Sequence, residues 1–224
     1  MIEKQSWMNT WIYKLHCHFE ERLLFCGLQG SYRRDEATES SDFDVVTILD
    51  VLAPKDLDFY RDALQEMPEC HKACGFIAGR KEIERWPRSE VFQFYMDTEP
   101  YFGDLKPYIP QITTVDIYAG LRGQVSALYH MVCHLRLYGN FSAQKDELRA
   151  AYKAVFFALQ LMEYLRSGTY ILSRHLLILK LTGLEAELLQ GNMYFDIKWE
   201  KLGFDVMSAQ LISWCSEALC TLPE

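Results

Sequence analysis

Two aspartates one residue apart, shortly after a glycine–serine pair, are the residues of this sequence whose types and spacing could do chemistry. The stretch reads GSYRRDEATESSDFDVV over residues 30–46. In a strand, Asp42 and Asp44 would point to the same face, about 7 Å apart along the backbone, with Phe43 turned the other way. Two carboxylates this close repel each other. A Mg²⁺ ion between them would relieve the repulsion, since Mg²⁺ is usually held by one or two carboxylates plus substrate phosphates.

The residues that precede the aspartates are suited to binding phosphate. Gly30 allows the backbone to approach a ligand closely, and Ser31 offers a hydroxyl group and an N–H group. A helical turn that follows would direct further amides at an anion, and Arg33 and Arg34 are candidate phosphate partners. Together with the two aspartates, these are the parts of a metal-assisted phosphoryl or nucleotidyl transfer site.

The surrounding sequence predicts the elements that must position these residues. Apolar residues recur at helical spacing over residues 5–22, and a helix with proline in its first turn is predicted over 54–66. Short buried strands are predicted over residues 23–29, 42–49 and 72–79. This order of elements indicates a small α/β unit.

The second half of the sequence has a different pattern. Pro87, Pro100, Pro107 and Pro110 mark a boundary. Apolar residues then recur every three or four positions over residues 114–138, 143–166, 169–190 and 205–221. We therefore predict an α+β fold, in which an α/β-type core with a short mixed sheet at residues 1–110 precedes an all-α helical bundle at residues 111–224.

The composition disfavours nucleic-acid-binding, disulfide-stabilised and membrane-spanning classes of protein. The net charge is −8, with 20 acidic and 13 basic residues up to residue 110. Without a basic stripe, binding to duplex nucleic acid is disfavoured. Seven irregularly spaced cysteines indicate reduced thiols. With no signal peptide and no run of 18 apolar residues, we expect a cytoplasmic protein without a membrane partner. The oligomeric state stays open, and a homodimer is one alternative.

The motif resembles that of a known superfamily. Gly30-Ser31, ten intervening residues and Asp42-Phe43-Asp44-Val45 are similar to the signature of nucleotidyltransferases, which include DNA polymerase beta and the antibiotic nucleotidyltransferases. Residues 86–105 and the helices after them resemble the linker and C-terminal bundle of kanamycin-type enzymes. The resemblance implies that Gly30 and Ser31 contact nucleotide phosphates and that Asp42 and Asp44 are catalytic ligands of one or two Mg²⁺ ions.

The same resemblance implies an activity. The protein would be a Mg-dependent enzyme that transfers a nucleoside monophosphate from a nucleoside triphosphate (NTP) to a hydroxyl group of a small molecule such as an antibiotic. The helical bundle would contribute to binding this acceptor.

The sequence departs from the superfamily at the third carboxylate. That group usually lies on the next strand or on a later helix, but KACGFIAG and GLRGQVSALYHMVCHLRL contain no acid. Residues left as candidates for a third ligand or a general base are Glu69, Glu90, Asp97, Glu99, Asp104 and His130. A second hypothesis follows, in which the protein is a weakly active or inactive nucleotide-binding, antitoxin-like regulator of the same fold.

Other reactive residues point less clearly to function. An RNA-cleaving bundle is disfavoured because Arg122 precedes His130 by eight positions, whereas such domains usually separate arginine and histidine by four to six. His130 and His134 share a helical face, but no third zinc ligand accompanies them. Cys70, His71 and Cys74 also lack a matching second pair. We interpret the two histidines as structural or exposed, the grouping of Cys70, His71 and Cys74 as accidental, and the aromatic residues of 91–102 as packing residues.

Overall fold

A computed structural model describes residues 2–140 and 142–223. The chain divides into two compact units, of which the first ends at Gln111 and the second begins at Ile112. Within the part of the chain that the structure describes, no helix combines the length and apolar character needed to cross a membrane.

The first unit is built on a four-stranded mixed sheet within the described residues. Its strands are β1 (Leu23–Leu28), β2 (Phe43–Leu49), β3 (Ala73–Gly79) and β4 (Glu99–Phe102). The strand order is β3-β2-β1-β4, with β1 antiparallel to β2 and β4, and β2 parallel to β3. The predicted short mixed sheet is therefore confirmed.

Helices precede, connect and cover these strands. They are α1 (Lys4–Phe19), α2 (Gly30–Arg33), α3 (Pro54–Gln65), α4 (Arg80–Glu84) and α5 (Arg88–Met96). Strand β2 is covered on both faces because its buried residues alternate between two apolar clusters. One cluster contains Phe43, Val45 and Leu49 with Trp7, Trp11 and Leu15 of α1. The other contains Val46 and Ile48 with Phe25, Ala78 and Ile83.

The proline-rich passage contains regular structure that the sequence pattern did not indicate. It includes α5 and β4, so it is more than a boundary. Strand β4 contains Pro100, which lies opposite Gly27 of β1. Because β4 is at the edge of the sheet, a residue without an N–H group is tolerated there.

The second unit is helical, as predicted, although its third segment differs from the prediction. Its helices are α6 (Thr114–Tyr138), α7 (Gln144–Ser167), α8 (Arg174–Leu177), α9 (Gly183–Met193) and α10 (Phe195–Thr221). Residues 169–190 do not form one helix. Residues 169–173 lie outside any helix, and the amide group of Gln160 donates to the carbonyl of Ile171 there at 2.8 Å; Ser173 then caps the short helix α8. Helix α10 begins ten residues before the predicted start and bends at Gly203, where φ is 71°.

A partly buried ion pair joins the start of β1 to the start of α3. Arg22 donates from Nη1 and Nη2 to the two carboxylate oxygens of Asp56, at 3.2 and 2.7 Å. Arg22 Nε also donates to Asp50 at 3.2 Å. The Asp56 side chain is 2% exposed and accepts the N–H group of Ala53 at 2.8 Å. The hydrogen bonds from Arg22 lower the pKa of Asp56.

We expect Arg22→Met to lower the free energy of unfolding by about 3 kcal/mol at pH 7, because it leaves a buried carboxylate without its cation. The folded pKa of Asp56 is lowered. The pair therefore contributes fully above the unfolded aspartate pKa of about 3.9, and its contribution is lost as the pH falls through the folded pKa. Urea denaturation between pH 7 and pH 2.5 should show the difference from wild type shrinking below about pH 4.

Arg61→Met is the matched control. Arg61 is exposed and pairs with Asp58 and Asp62 at 3.2 Å each. Such surface pairs contribute about 0.2–1 kcal/mol. Equal losses in the two variants would contradict the structural role assigned to Arg22.

Candidate active site

The two aspartates flank a phenylalanine that is anchored in the core. Asp44 is the second residue of β2 and is half-buried, whereas Asp42 precedes the strand and is exposed. The ring of Phe43 is fully buried, and its centroid lies 4.6 Å from that of Trp7 and 4.8 Å from that of Tyr32. Because neighbouring residues of a strand face opposite ways, this packing directs Asp44 away from the α1 side of the sheet.

The glycine of the Gly-Ser pair lies directly against Asp44. Gly30 has φ of +70°, and a Cβ atom built on it would lie 1.8 Å from Oδ2 of Asp44. The preceding residue, Gln29, donates its backbone N–H group to the carbonyl oxygen of Asp44 at 2.8 Å. The helical turn α2 and the carboxylate of Asp44 therefore meet so closely that a side chain at residue 30 would have to displace the carboxylate.

The charge on Asp44 is unfavourable in this position. Burial raises the pKa of Asp44, the neighbouring charge of Asp42 raises it further, and Arg34 opposes both effects. The structure thus brings the two aspartates within electrostatic range of each other. A cation bound beside them would favour the ionised form of Asp44.

These residues fit a Mg²⁺ ion that takes some of its ligands from the protein and the others from a substrate and water. Among residues 2–140 and 142–223, no group of three or more histidine, cysteine, aspartate or glutamate side chains is placed to hold a metal. Two carboxylates therefore cannot form a complete protein cage for the ion. Mg²⁺ commonly takes one or two carboxylates, with its other positions filled by phosphates and waters.

Both predicted phosphate-binding arginines lie near carboxylates. Arg34 and Glu36 have side chains only 6% and 7% exposed, and their charged groups are 3.5 Å apart. Arg33 Nη1 lies 3.9 Å from Oε1 of Glu99. Arg34 is near enough to Asp44 to lower its pKa. Phosphate binding by either arginine remains a prediction, as do the roles of Gly30, Ser31, Asp42 and Asp44.

The geometry separates Glu99 from the paired acids. Glu99 of β4 lies directly opposite Leu28 of β1, and Leu28 packs in the cluster that contains Phe43 and Val45. Directly opposite residues share a face, so Glu99 and Asp44 are on opposite faces of the sheet. On β3, the residue in register with Asp44 is Cys74, which is exposed. The adjacent strand thus places a thiol group beside Asp44.

The remaining candidates for a third ligand or a base have varied surroundings. Glu69 pairs with Lys72 at 2.9 Å, and Glu90 accepts the indole N–H group of Trp86 at 2.9 Å. Asp104 accepts the backbone N–H group of Lys106 at 2.9 Å. Asp97 is 7% exposed at the end of α5. His130 belongs to the second unit, where its ring centroid lies 6.1 Å from that of His134.

Sequence reasoning missed two residues near the turn. Gln29 precedes Gly30, and its side chain donates to Thr98 Oγ1 at 2.6 Å and to the carbonyl of Phe94 at 3.0 Å. The available signal was a polar residue that ends the apolar run LLFCGL immediately before the Gly-Ser pair. No local pattern indicates Thr98, which is 69 positions later in the chain.

This chain is similar to known proteins in sequence and in fold. Residues 20–96 match the family model of the nucleotidyltransferase domain, a range that includes the Gly-Ser pair and both aspartates. No curated protein shows significant sequence similarity to this chain.

The fold is similar to that of spectinomycin adenyltransferase AAD(9) from Enterococcus faecialis, whose crystal structure contains ATP and spectinomycin. The TM-score is 0.56 at 12% sequence identity, over 92% of this chain and 98% of that chain. At this identity the similarity demonstrates a shared fold. The match of residues 20–96 to the family model confirms the resemblance to nucleotidyltransferases, and the fold is shared with an antibiotic nucleotidyltransferase.

We expect Gly30→Ala to lower the free energy of unfolding by about 3 kcal/mol or more, because it adds a steric conflict with Asp44 to the cost of a positive φ. Gly168→Ala is the matched control, since Gly168 has φ of +71° and no atom within 4 Å of an added Cβ. The control should lose only about 1–2 kcal/mol. Chemical denaturation measures both variants.

A second substitution identifies the source of the difference. If contact with the Asp44 carboxylate makes Gly30→Ala more destabilising than Gly168→Ala, adding Asp44→Ala to Gly30→Ala should restore the free energy of unfolding lost through that contact. Identical losses for the two glycine variants would show that the close approach to Asp44 has no energetic effect.

Proposed function

We propose that the nucleotidyltransferase domain at residues 20–96 transfers a nucleoside monophosphate from a Mg-bound NTP to a hydroxyl group of a small molecule. The observation that carries this proposal is the approach of Gly30 to Asp44, where a Cβ atom would lie 1.8 Å from the carboxylate. This approach joins the phosphate-binding turn to the metal-binding acids. A solvated surface loop has no need for such a contact.

The residues have distinct roles in the proposed reaction. Asp42 and Asp44 hold Mg²⁺, and Gly30 and Ser31 contact the phosphates of the NTP at the turn. Bound Mg²⁺ supplies charge neutralisation at the phosphate oxygens and helps align them with the attacking oxygen. Arg33 and Arg34 add positive charge beside the turn. Residues 1–110 bind the nucleotide in this scheme, and the helical bundle of residues 111–224 contributes to binding the acceptor.

Two observations support an antibiotic, and in particular a cationic one, as the acceptor. The structurally similar AAD(9) was crystallised with ATP and an antibiotic. The first unit of this chain also carries an excess of acid, which would attract a cationic acceptor such as an aminoglycoside. We place the reaction in the cytoplasm, because the seven cysteines are free thiols and fit a reducing compartment.

A second candidate function has its own support. The position on β3 in register with Asp44 is Cys74, and Glu99 faces the other side of the sheet. A site with only two carboxylates could bind Mg-NTP and transfer its nucleotidyl group slowly or not at all. The protein would then be a nucleotide-binding regulator of the same fold.

If the protein is a nucleotidyltransferase, it should transfer the labelled nucleoside monophosphate from an NTP to an acceptor. The protein, Mg²⁺ and each of the four α-³²P-labelled NTPs should be incubated with a panel of aminoglycosides, lincosamides and spectinomycin, and the products separated by thin-layer chromatography. We expect Asp44→Asn to lower the rate at least about a hundredfold, because it removes a charged ligand of the catalytic metal. Asp62→Asn, on an exposed surface of α3, is the control and should retain the wild-type rate.

Calorimetry separates the two functions. Tight binding of Mg-NTP without turnover on any acceptor would favour the regulator. If wild-type protein neither binds any of the four Mg-NTPs nor labels any acceptor, both functions are excluded.

A further inference from the structure

The backbone of Gln29 joins the Gly-Ser turn to Asp44. Gln29 is the N-terminal capping residue of α2, and its carbonyl oxygen accepts the N–H group of Arg33 at 3.4 Å. Its own N–H group donates to the carbonyl oxygen of Asp44 at 2.8 Å. A displacement of Gln29 would therefore move both halves of the candidate site relative to each other.

The side chain of Gln29 does not cap its own turn. Its amide nitrogen instead donates to the carbonyl oxygen of Phe94 at 3.0 Å and to Oγ1 of Thr98 at 2.6 Å. Thr98 Oγ1 in turn donates to the same Phe94 carbonyl at 2.6 Å. Because a carbonyl oxygen can only accept, the NH₂ group of Gln29 must face α5.

Thr98 is well placed to hold this side chain. It is 9% exposed and lies between the end of α5 and the start of β4. Strand β4 is itself paired with β1, with Glu99 opposite Leu28. Hydrogen bonds shielded from water hold a group more firmly than exposed ones.

A second contact restrains the turn from its other side. The buried ring of Tyr32 packs on Phe43, and its hydroxyl group accepts the N–H group of Ile2 at 3.2 Å. Tyr32 therefore links the middle of the turn to the α1 side of the sheet. Gln29, the residue before the turn, links its start to α5. The Gly30 backbone, which meets Asp44, lies between these two attachments.

We propose that Gln29 is a positioning residue for the candidate nucleotide site, acting through Thr98 and the Phe94 carbonyl to hold the turn at Gly30–Arg33 against Asp44. The consequence for nucleotide binding rests on the proposed function. The amide nitrogen of Gln29 is engaged within the protein, so its side chain supports the turn and is not assigned a contact with the phosphates.

Gln29→Met tests this role, because methionine has a similar length and lacks the hydrogen-bond donors. Isothermal titration calorimetry with Mg-ATP, Mg-GTP, Mg-CTP and Mg-UTP should show binding weakened about tenfold for the preferred nucleotide. In the transfer assay, KM for the nucleotide should rise by a similar factor, while kcat changes less. Thr98→Val should weaken binding in the same direction, and Thr98→Ser, which keeps the hydroxyl group, should restore it.

Hydrogen exchange tests the positioning role without any ligand. The backbone amides of Arg33, Arg34 and Glu36 donate to the carbonyls of Gln29, Gly30 and Ser31. Their exchange should be roughly tenfold faster in Gln29→Met and Thr98→Val than in wild type or Thr98→Ser. Gln65→Met, at an exposed position that ends α3, is the matched control and should leave these rates unchanged.

The outcomes are distinguishable. If the wild type binds none of the four nucleotides, the proposed function fails, and the exchange rates alone decide whether Gln29 holds the turn. Exchange rates in Gln29→Met equal to those of the wild type would overturn the positioning role. Accelerated exchange with unchanged nucleotide affinity would overturn its link to the nucleotide site.

Discussion

The close approach of a backbone to a carboxylate is the constraint on which the candidate site depends. At Gly30 the chain has a positive φ and runs so near to Asp44 that an added Cβ atom would overlap a carboxylate oxygen. Two requirements, one conformational and one steric, therefore select glycine at the same residue. The approach is set by the antiparallel pairing of β1 and β2, which the hydrogen bond from Gln29 to Asp44 continues past the end of β1.

The protein keeps this arrangement although the charges in it are unfavourable. Asp44 is half-buried beside another carboxylate, so its pKa is raised. Attachments on both faces of the sheet oppose any rearrangement, through the buried rings of Phe43 and Tyr32 on one side and the side-chain amide of Gln29 on the other. A site that binds a cation and phosphates is expected to carry such unrelieved charge in its free form.

The distribution of the acids is compatible both with nucleotidyl transfer and with nucleotide binding without transfer. Glu99 is held on the opposite face of the sheet, and the in-register neighbour of Asp44 on β3 is Cys74. Two carboxylates suffice for an ion whose other ligands come from triphosphate and water. In the proposed reaction the rate would depend on how well the turn and the two acids are held in place, which is the role that we propose for Gln29 acting through Thr98.

Local patterns in the sequence determined three of the four strands of the described sheet and most helices, because alternation along a strand and spacing along a helix depend on neighbouring residues alone. The sequence shows a glycine at residue 30, but it does not show that a side chain there would collide with Asp44. Only the tertiary structure decided that Gly30 meets Asp44, that Glu99 faces away from it, that Thr98 is hydrogen-bonded to Gln29 from 69 residues away, and that residues 169–190 are divided between two helices. Each of these depends on contacts between segments distant in sequence, whose meeting no local periodicity encodes.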